Sequence, residues 1–204
     1  MSGRDRPLRR SDLDPDPLRQ FRNWYAEAER VVEVPEAVAL ATATPGGHPS
    51  VRMVLAKAVD ERGFKFHTGH ESRKGRELEK TGRGALLFYW HPLGRQVRIE
   101  GPVERVADDE AEEYFRTRPR GGQIAAWASR QSEPLGSRDE LEERVAELER
   151  EFEGRDVPLP AHWGGYRLEP DTWEFWQHRE SRLHDRFRYS RQDGGEWTIE
   201  RLSP

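Results

Sequence analysis

The sequence predicts a mainly β protein with peripheral helices, its strands closing into a barrel. Three observations predict it. Short strand-type segments follow one another at close spacing, each bounded by glycine- or proline-marked turns. Helical periodicity is confined to the N-terminus, a brief insertion near residue 75 and the stretch after residue 107. The 204 residues leave room for one sizeable core but crowd a second. Residues 1–13 read as a flexible N-terminus and 14–204 as a single domain.

In order, Asp16 is placed to cap a helix whose first position is Pro17, and Leu18, Phe21, Tyr25 and Ala28 then share one face. AVALATAT (37–44) and PSVRMVLAKAV (49–59) read as strands joined through Pro45, Gly46 and Gly47. GFKFHT (63–68) follows a turn at Glu61 to Gly63. Ser72 to Lys80 predicts a short helix, and GALLFYW (84–90) and RQVRIEGPVERV (95–106) return to strand character around a turn at Pro92 to Gly94. Helices are expected over 108–118 and 123–129. Ser137 with Glu140 forms a capping box opening a helix that buries Leu141, Val145, Leu148 and Phe152. Strands resume at 163–169 and 172–177, and RFRYSRQ and EWTIERL form a last hairpin around Asp193, Gly194 and Gly195.

Composition narrows the function. With 34 basic and 38 acidic residues the net charge is −4, which gives no reason to expect a nucleic-acid partner. The absence of cysteine removes disulfides, thiolate metal sites and a thiol nucleophile together, so redox chemistry would need a bound cofactor. No apolar run is long enough for a membrane span, and the N-terminus lacks a signal-peptide core; a soluble, cytoplasmic protein is expected. The 35% of charged residues is offset by seven Trp, eight Phe and five Tyr, enough apolar surface to fold. GxGxxG, GxxxxGK[ST], HExxH and GxSxG are all missing, so any nucleotide site is not Rossmann-like. Only His67 and His70 have a metal-like spacing; they flank Gly69 and read as a solvated turn, and no metal is expected.

Several segments could carry chemistry. In SRKGRELEK (72–80), Arg73 and Lys74 fall in a helical first turn where cations oppose the dipole; a phosphate would compensate them, and so would Glu77 and Glu79 on a plain charged helix. In RMVLAK (52–57), Met53, Leu55 and Lys57 alternate onto one face, with Lys57 either snorkelling or holding an anion. Tyr114 and Arg118 lie four apart before the helix-ending Pro119, a pair suited to a phosphate monoester or an ordinary Arg–Tyr packing pair. RLHDRF (182–187) aligns Arg182, His184 and Arg186 on one strand face, which calls for an anion unless the segment is a solvated edge strand. Trp176 in EFWQ offers a flat surface for a planar ring, although a core tryptophan would look the same.

Taken together, RMVLAK, SRKGRELE, RQVRIEG, YFRTRPRGGQIAAWASRQS, PLPAHWGGYRL, EFWQ and RLHDRF occur in the order found in pyridoxamine 5′-phosphate oxidases, and the chain resembles that family over residues 14–204. The resemblance implies a split β-barrel homodimer with FMN at the subunit interface, and oxidation of pyridoxamine or pyridoxine 5′-phosphate to pyridoxal 5′-phosphate by hydride transfer to the flavin, with O2 reduced to hydrogen peroxide. Carried over by motif, Arg52, Met53, Val54, Leu55, Lys57, His67, Thr68, Arg73, Lys74, Gln96, Gln131, Ser132, Trp176 and Arg186 would contact FMN. Lys57, Tyr114 and Arg118 would hold the substrate phosphate, and Arg182 and His184 the pyridine ring and its reacting carbon, as the catalytic residues. The sequence departs from the family at Gly122, where serine is usual, and at His67, where tyrosine is common. Two alternatives share the fold: an FMN oxidase of phenazine biosynthesis and a non-catalytic carrier of flavin or pyridoxal phosphate.

Overall fold

Aromatic side chains set the architecture. Phe64, Phe66, Phe88, Trp90, Trp173, Phe175, Phe187 and Tyr189 are almost wholly buried at inward strand positions, most of them alternating with exposed or half-exposed neighbours. The computed structural model describes residues 6–204. Its strands are β1 (Ala37–Ala43), β2 (Pro49–Leu55), β3 (Ala58–Asp60), β4 (Gly63–Gly69), β5 (Arg83–Trp90), β6 (Arg95–Arg105), β7 (Trp163–Leu168), β8 (Thr172–Gln177), β9 (Asp185–Arg191) and β10 (Trp197–Leu202). All pair antiparallel, in the order β10-β9-β8-β6-β5-β1-β2, with a branch in which β7 pairs with both β6 and β4, and β4 with β3. Strand β6 makes the curl: Arg95 to Glu100 pair with β8, while Val103 to Arg105 pair with β7. The result is the mainly β, barrel-like fold with peripheral helices that the turn pattern predicts.

Helix α1 (Pro17–Ala28) begins as expected, with Asp16 accepting from the Leu18 amide at 2.9 Å and Pro17 at the first position. It fills the barrel: the Phe21 ring lies 5.0 Å from Phe64, 5.1 Å from Phe88 and 5.8 Å from Trp173. Truncating Phe21 to Ala would cost about 3–5 kcal/mol on that packing. The reading of residues 1–13 as flexible needs correction for its later part. Leu8 and Leu13 are buried in the same core, the Leu8 amide donates to Asp185 at 3.1 Å, and Arg10–Asp12 form a 3-10 turn; residues 1–5 lie outside the described residues.

Helix α2 (Arg73–Thr81) is capped by Ser72, which accepts from Gly75, and ends in left-handed Gly82. Helices α3 (Asp108–Thr117), α4 (Arg120–Ala128) and α5 (Arg138–Glu151) form a lobe with its own small core of Phe115, Ile124, Phe152 and Val157. Ser137 caps α5 as its sequence predicts, yet only Phe152 of the four expected core residues is buried; Leu141, Val145 and Leu148 are half-buried. Arg120 to Gly122 open α4, where the sequence suggests a loop before residue 123.

Candidate functional site

The outer face of the sheet carries an unusual load. Val51, Met53, Leu55, Leu87 and Tyr89 are exposed, although strand alternation alone would assign such residues to a core. Direct pairing continues that face from Tyr89 to Gln96, Trp176 and Arg186 on β5, β6, β8 and β9. Exposed apolar surface of this extent marks a face that something covers.

At the apolar end of that face, a cavity of about 270 Å³ is lined by Met53, Val54, Leu55, Lys57, His67, Thr68, Lys74, Tyr114, Arg118, Gln131 and Trp163. Strand β2 ends at Leu55, which puts Lys57 in the link to β3. There its amide donates to the Lys65 carbonyl and its ammonium pairs with Glu36 at 3.1 Å. Arg118 follows the last residue of α3 in an extended conformation, as a residue before proline should, and its guanidinium lies 4.7 Å over the Trp163 ring. His67 stacks on Tyr114 at 3.8 Å and lies nearly parallel to Trp163 at 5.4 Å. Burial first, then the charges of Lys65 and Arg118, lowers its pKa to about 4, so the ring is neutral above pH 5. Arg118 Nη1 and His67 Nδ1 are buried without a partner among the described residues. Gly122 lies against Arg118, where a Cβ would sit 3.4 Å from Nη2.

Beside this cavity, the start of α2 holds a second polar cluster. Lys74 is buried, and its ammonium donates to Thr68 Oγ1 at 2.9 Å, Ser72 Oγ at 3.2 Å and Gln131 Oε1 at 2.7 Å. All three are neutral oxygens; among the described residues Lys74 makes no ion pair with a carboxylate. Burial, then the nearby charge of Arg52, lowers its pKa to about 8. A buried cation held only by neutral groups is expensive and leaves room for an anion. The Arg73 amide donates to Ser132 Oγ at 3.1 Å and its Nε to Glu77 at 2.9 Å. Arg52 donates to the Leu40 carbonyl, Thr42 and Ser50, with Glu77 at 3.5 Å. Gly75 allows α2 to start this close to the preceding loop, because a Cβ there would meet the His70 carbonyl at 2.1 Å.

The structure thus gathers Arg52, Met53, Val54, Leu55, Lys57, His67, Thr68, Arg73, Lys74, Tyr114, Arg118, Gln131 and Ser132 around one cavity and its rim. It does not bring Gln96, Trp176, Arg182, His184 or Arg186 to that cavity within the chain. The alignment expected of Arg182, His184 and Arg186 is also corrected. Residues 180–182 form a 3-10 turn with Ser181 at φ 56° and Arg182 at φ 61°, and β9 begins only at Asp185, so Arg186 alone lies in the strand. His184 packs 4.4 Å from the Trp176 ring, and its Nδ1 accepts from the Arg179 amide at 3.1 Å. That bond leaves the proton of the neutral ring on Nε2. The solvated turn expected of His67 and His70 is met only in part: His70 lies in a turn closed by the Ser72 amide on the Gly69 carbonyl, but its Nδ1 lies 3.2 Å from the Tyr166 hydroxyl, and His67 sits in β4 with its ring stacked on Tyr114. Trp163 is the residue that motif reasoning missed, because the Arg118 guanidinium and His67 ring packed on it come from distant parts of the chain; Glu77, expected as a counter-charge on the helix, does pair with Arg73.

Comparison with known proteins decides the family. The family model described as pyridoxamine 5′-phosphate oxidase matches residues 25–151. The chain belongs to the pyridoxamine 5′-phosphate oxidase family. A second model, the pyridoxine 5′-phosphate oxidase C-terminal dimerisation region, matches residues 163–204. A pyridoxine/pyridoxamine 5′-phosphate oxidase of Rubrobacter xylanophilus is 58% identical over 198 residues, covering 97% of this chain and 91% of that protein. One of the same name from Myxococcus xanthus is 52% identical, covering 97% and 96%. Among solved structures, PhzG from Burkholderia lata 383, in complex with tetrahydrophenazine-1-carboxylic acid, aligns with a TM-score of 0.91 at 36% identity, covering 98% of this chain and all of that one. An FMN-binding protein of Nostoc punctiforme related to pyridoxamine 5′-phosphate oxidase shares the fold, with a TM-score of 0.74 at 15% identity.

Proposed function

We propose that this chain is an FMN-dependent oxidase that converts pyridoxamine 5′-phosphate or pyridoxine 5′-phosphate to pyridoxal 5′-phosphate, acting as a homodimer in the cytoplasm. The observation that carries the reading is the convergence on one cavity of Lys57, Tyr114 and Arg118 with buried Lys74, beside which Arg52 and Arg73 meet on Glu77. Two phosphorylated molecules side by side would use both groups. The residues fit FMN, since Lys74 lacks a charged partner among the described residues and the α2 start offers the Ser72 cap, Gln131 and Ser132 around it.

In this reading Arg52, Arg73, Lys74, Gln131 and Ser132 hold the cofactor phosphate. Met53, Val54, Leu55, Lys57, His67 and Thr68 lie along the rest of the flavin. FMN held there would supply the redox chemistry, taking a hydride from the substrate, with O2 as the final oxidant reduced to hydrogen peroxide. Lys57, Tyr114 and Arg118 grip the substrate phosphate, so binding energy remote from the reacting carbon fixes the orientation of the ring. The partner protomer brings Gln96, Trp176 and Arg186 to the flavin and Arg182 and His184 to the pyridine ring. Coverage of the exposed face bearing Met53, Leu87 and Tyr89 by a second copy would deliver them there. With Nδ1 occupied by the Arg179 amide, His184 presents Nε2–H as a hydrogen-bond donor to the substrate.

The phenazine alternative has structural support in the PhzG likeness, yet tetrahydrophenazine-1-carboxylic acid carries no phosphate to engage Lys57, Tyr114 and Arg118. The test is to incubate FMN-loaded protein with pyridoxamine 5′-phosphate in air and follow aldehyde and peroxide. Turnover is expected. Binding without turnover would favour a carrier, and no binding with oxidation of a reduced phenazine carboxylate would favour the alternative.

A further inference from the structure

On the polar half of the outer face, Glu174 is buried although every strand neighbour on its row is charged. Direct pairing sets Arg98, Glu174, Arg188 and Glu200 side by side across β6, β8, β9 and β10. A plain alternating ladder would pair Glu174 with its two cross-strand neighbours. The observed contacts differ. Glu174 Oε2 accepts from Arg98 Nη2 at 2.8 Å, but Oε1 accepts from Arg186 Nε at 2.8 Å, on the diagonal, while Arg188 turns away to Glu200 at 2.8 Å. The Arg186 guanidinium is held a second time, its Nη1 donating to the Ser203 carbonyl at 2.8 Å. Two acceptors at fixed angles set the plane of a rigid fork, and Nη2 is left without a hydrogen bond among the described residues. Arg186 pairs directly with Trp176, so this free edge lies on the row that also carries Gln96.

We propose that Glu174 is a positioning residue for the cofactor: together with the carbonyl of Ser203 it fixes the guanidinium plane of Arg186 so that Nη2 is presented to the flavin. The inference rests on the assignment of Arg186 to FMN. Glu174 itself touches no ligand in this account and acts through Arg186. Without it, a mobile guanidinium would have to be ordered at the moment of binding, which weakens the contact.

The test uses the full-length protein stripped of flavin and reconstituted with FMN. Dissociation constants come from flavin fluorescence, together with the visible spectrum of the bound flavin. Arg186→Ala is expected to weaken FMN binding about tenfold, the equivalent of one hydrogen bond to a charged group. Glu174→Gln keeps shape and removes charge, and is expected to weaken binding several-fold and to shift the flavin spectrum in the same direction as Arg186→Ala. The double variant should be no weaker than Arg186→Ala alone, since both changes remove one interaction. Glu200→Gln, in the same ladder but not touching Arg186, should bind as wild type. Additive losses in the double variant, or wild-type binding by Glu174→Gln where Arg186→Ala is impaired, would overturn the positioning role. Wild-type binding by Arg186→Ala would instead overturn the assignment of Arg186 to the flavin, and the proposal with it. If Glu174→Gln does not fold, Glu174→Asp, which keeps the charge and shortens the reach, is read by the same criteria.

Discussion

Replacing His67 by phenylalanine tests whether the stacked ring is held neutral by its surroundings. In the folded chain its pKa is lowered from 6.5 to about 4, chiefly by burial and further by Lys65 and Arg118, with Glu110 opposing. The folded protein therefore binds fewer protons than the unfolded chain between those values. Stability from this group is whole above pH 6.5 and drains away as the pH falls toward 4. The gap, 6.5 minus about 4, corresponds to about 3 kcal/mol in full, of which about 2 kcal/mol is lost between pH 7.5 and pH 5. His67→Phe keeps a flat ring between Tyr114 and Trp163 and removes the titration. Urea unfolding followed by tryptophan fluorescence, at several pH values and one protein concentration, measures the difference. The wild type should lose about 2 kcal/mol more than the variant across that interval. Parallel stability profiles for the two proteins would refute the reasoning.

Three further outcomes are expected. Gly75→Ala forces a Cβ against the His70 carbonyl, displacing the start of α2; FMN should be lost on dialysis, seen as released flavin fluorescence, while the far-ultraviolet circular dichroism of the sheet is retained. Trp163→Leu removes the surface beneath Arg118 and His67, and should raise KM for the phosphorylated substrate about tenfold with kcat within about twofold. Lys74 sheds its proton as the pH rises through about 8, so FMN affinity should fall above that pH; in Lys74→Arg, whose side chain stays charged, the fall should disappear from a titration between pH 7 and 9.5.

Most of the elements were legible because their signals are local. Asp16 before Pro17, the Ser72 and Ser137 caps and the glycine-bearing hairpins each act within a few residues of themselves. What failed depended on partners far along the chain. The strand read over residues 49–59 breaks at Ala56, where the amide pairs with the Glu36 carbonyl and the chain crosses from the long sheet path to its branch. RLHDRF reads as a strand because nothing in it marks a turn. Ser181 and Arg182 nevertheless take left-handed conformations without glycine, a cost of about 1–3 kcal/mol each that surrounding structure must hold. Leu8 and Leu13 lie in a charged, proline-bearing segment whose burial comes from contacts with the far end of the chain, including Asp185.

For the site, motif order proposes residues but cannot distribute them in space. Within one chain the cavity holds Lys57, Tyr114 and Arg118, whereas His184 stands apart beside Trp176 and Arg182 ends the 3-10 turn just before it. The exposed Val51, Met53 and Leu55 on an edge strand are what suggests the proposed cover by a second copy, because single-strand alternation cannot tell a core face from a face that a partner would cover.

Subunit mixing tests the composite site most directly. A protein carrying Arg118→Ala and one carrying Arg182→Ala, each inactive alone, are unfolded and refolded together in equal amounts. If each site takes Arg118 from one protomer and Arg182 from the other, half of the dimers contain one intact site of two, and activity should return to about a quarter of wild type. Activity no higher than that of the separate variants would contradict a site shared between protomers.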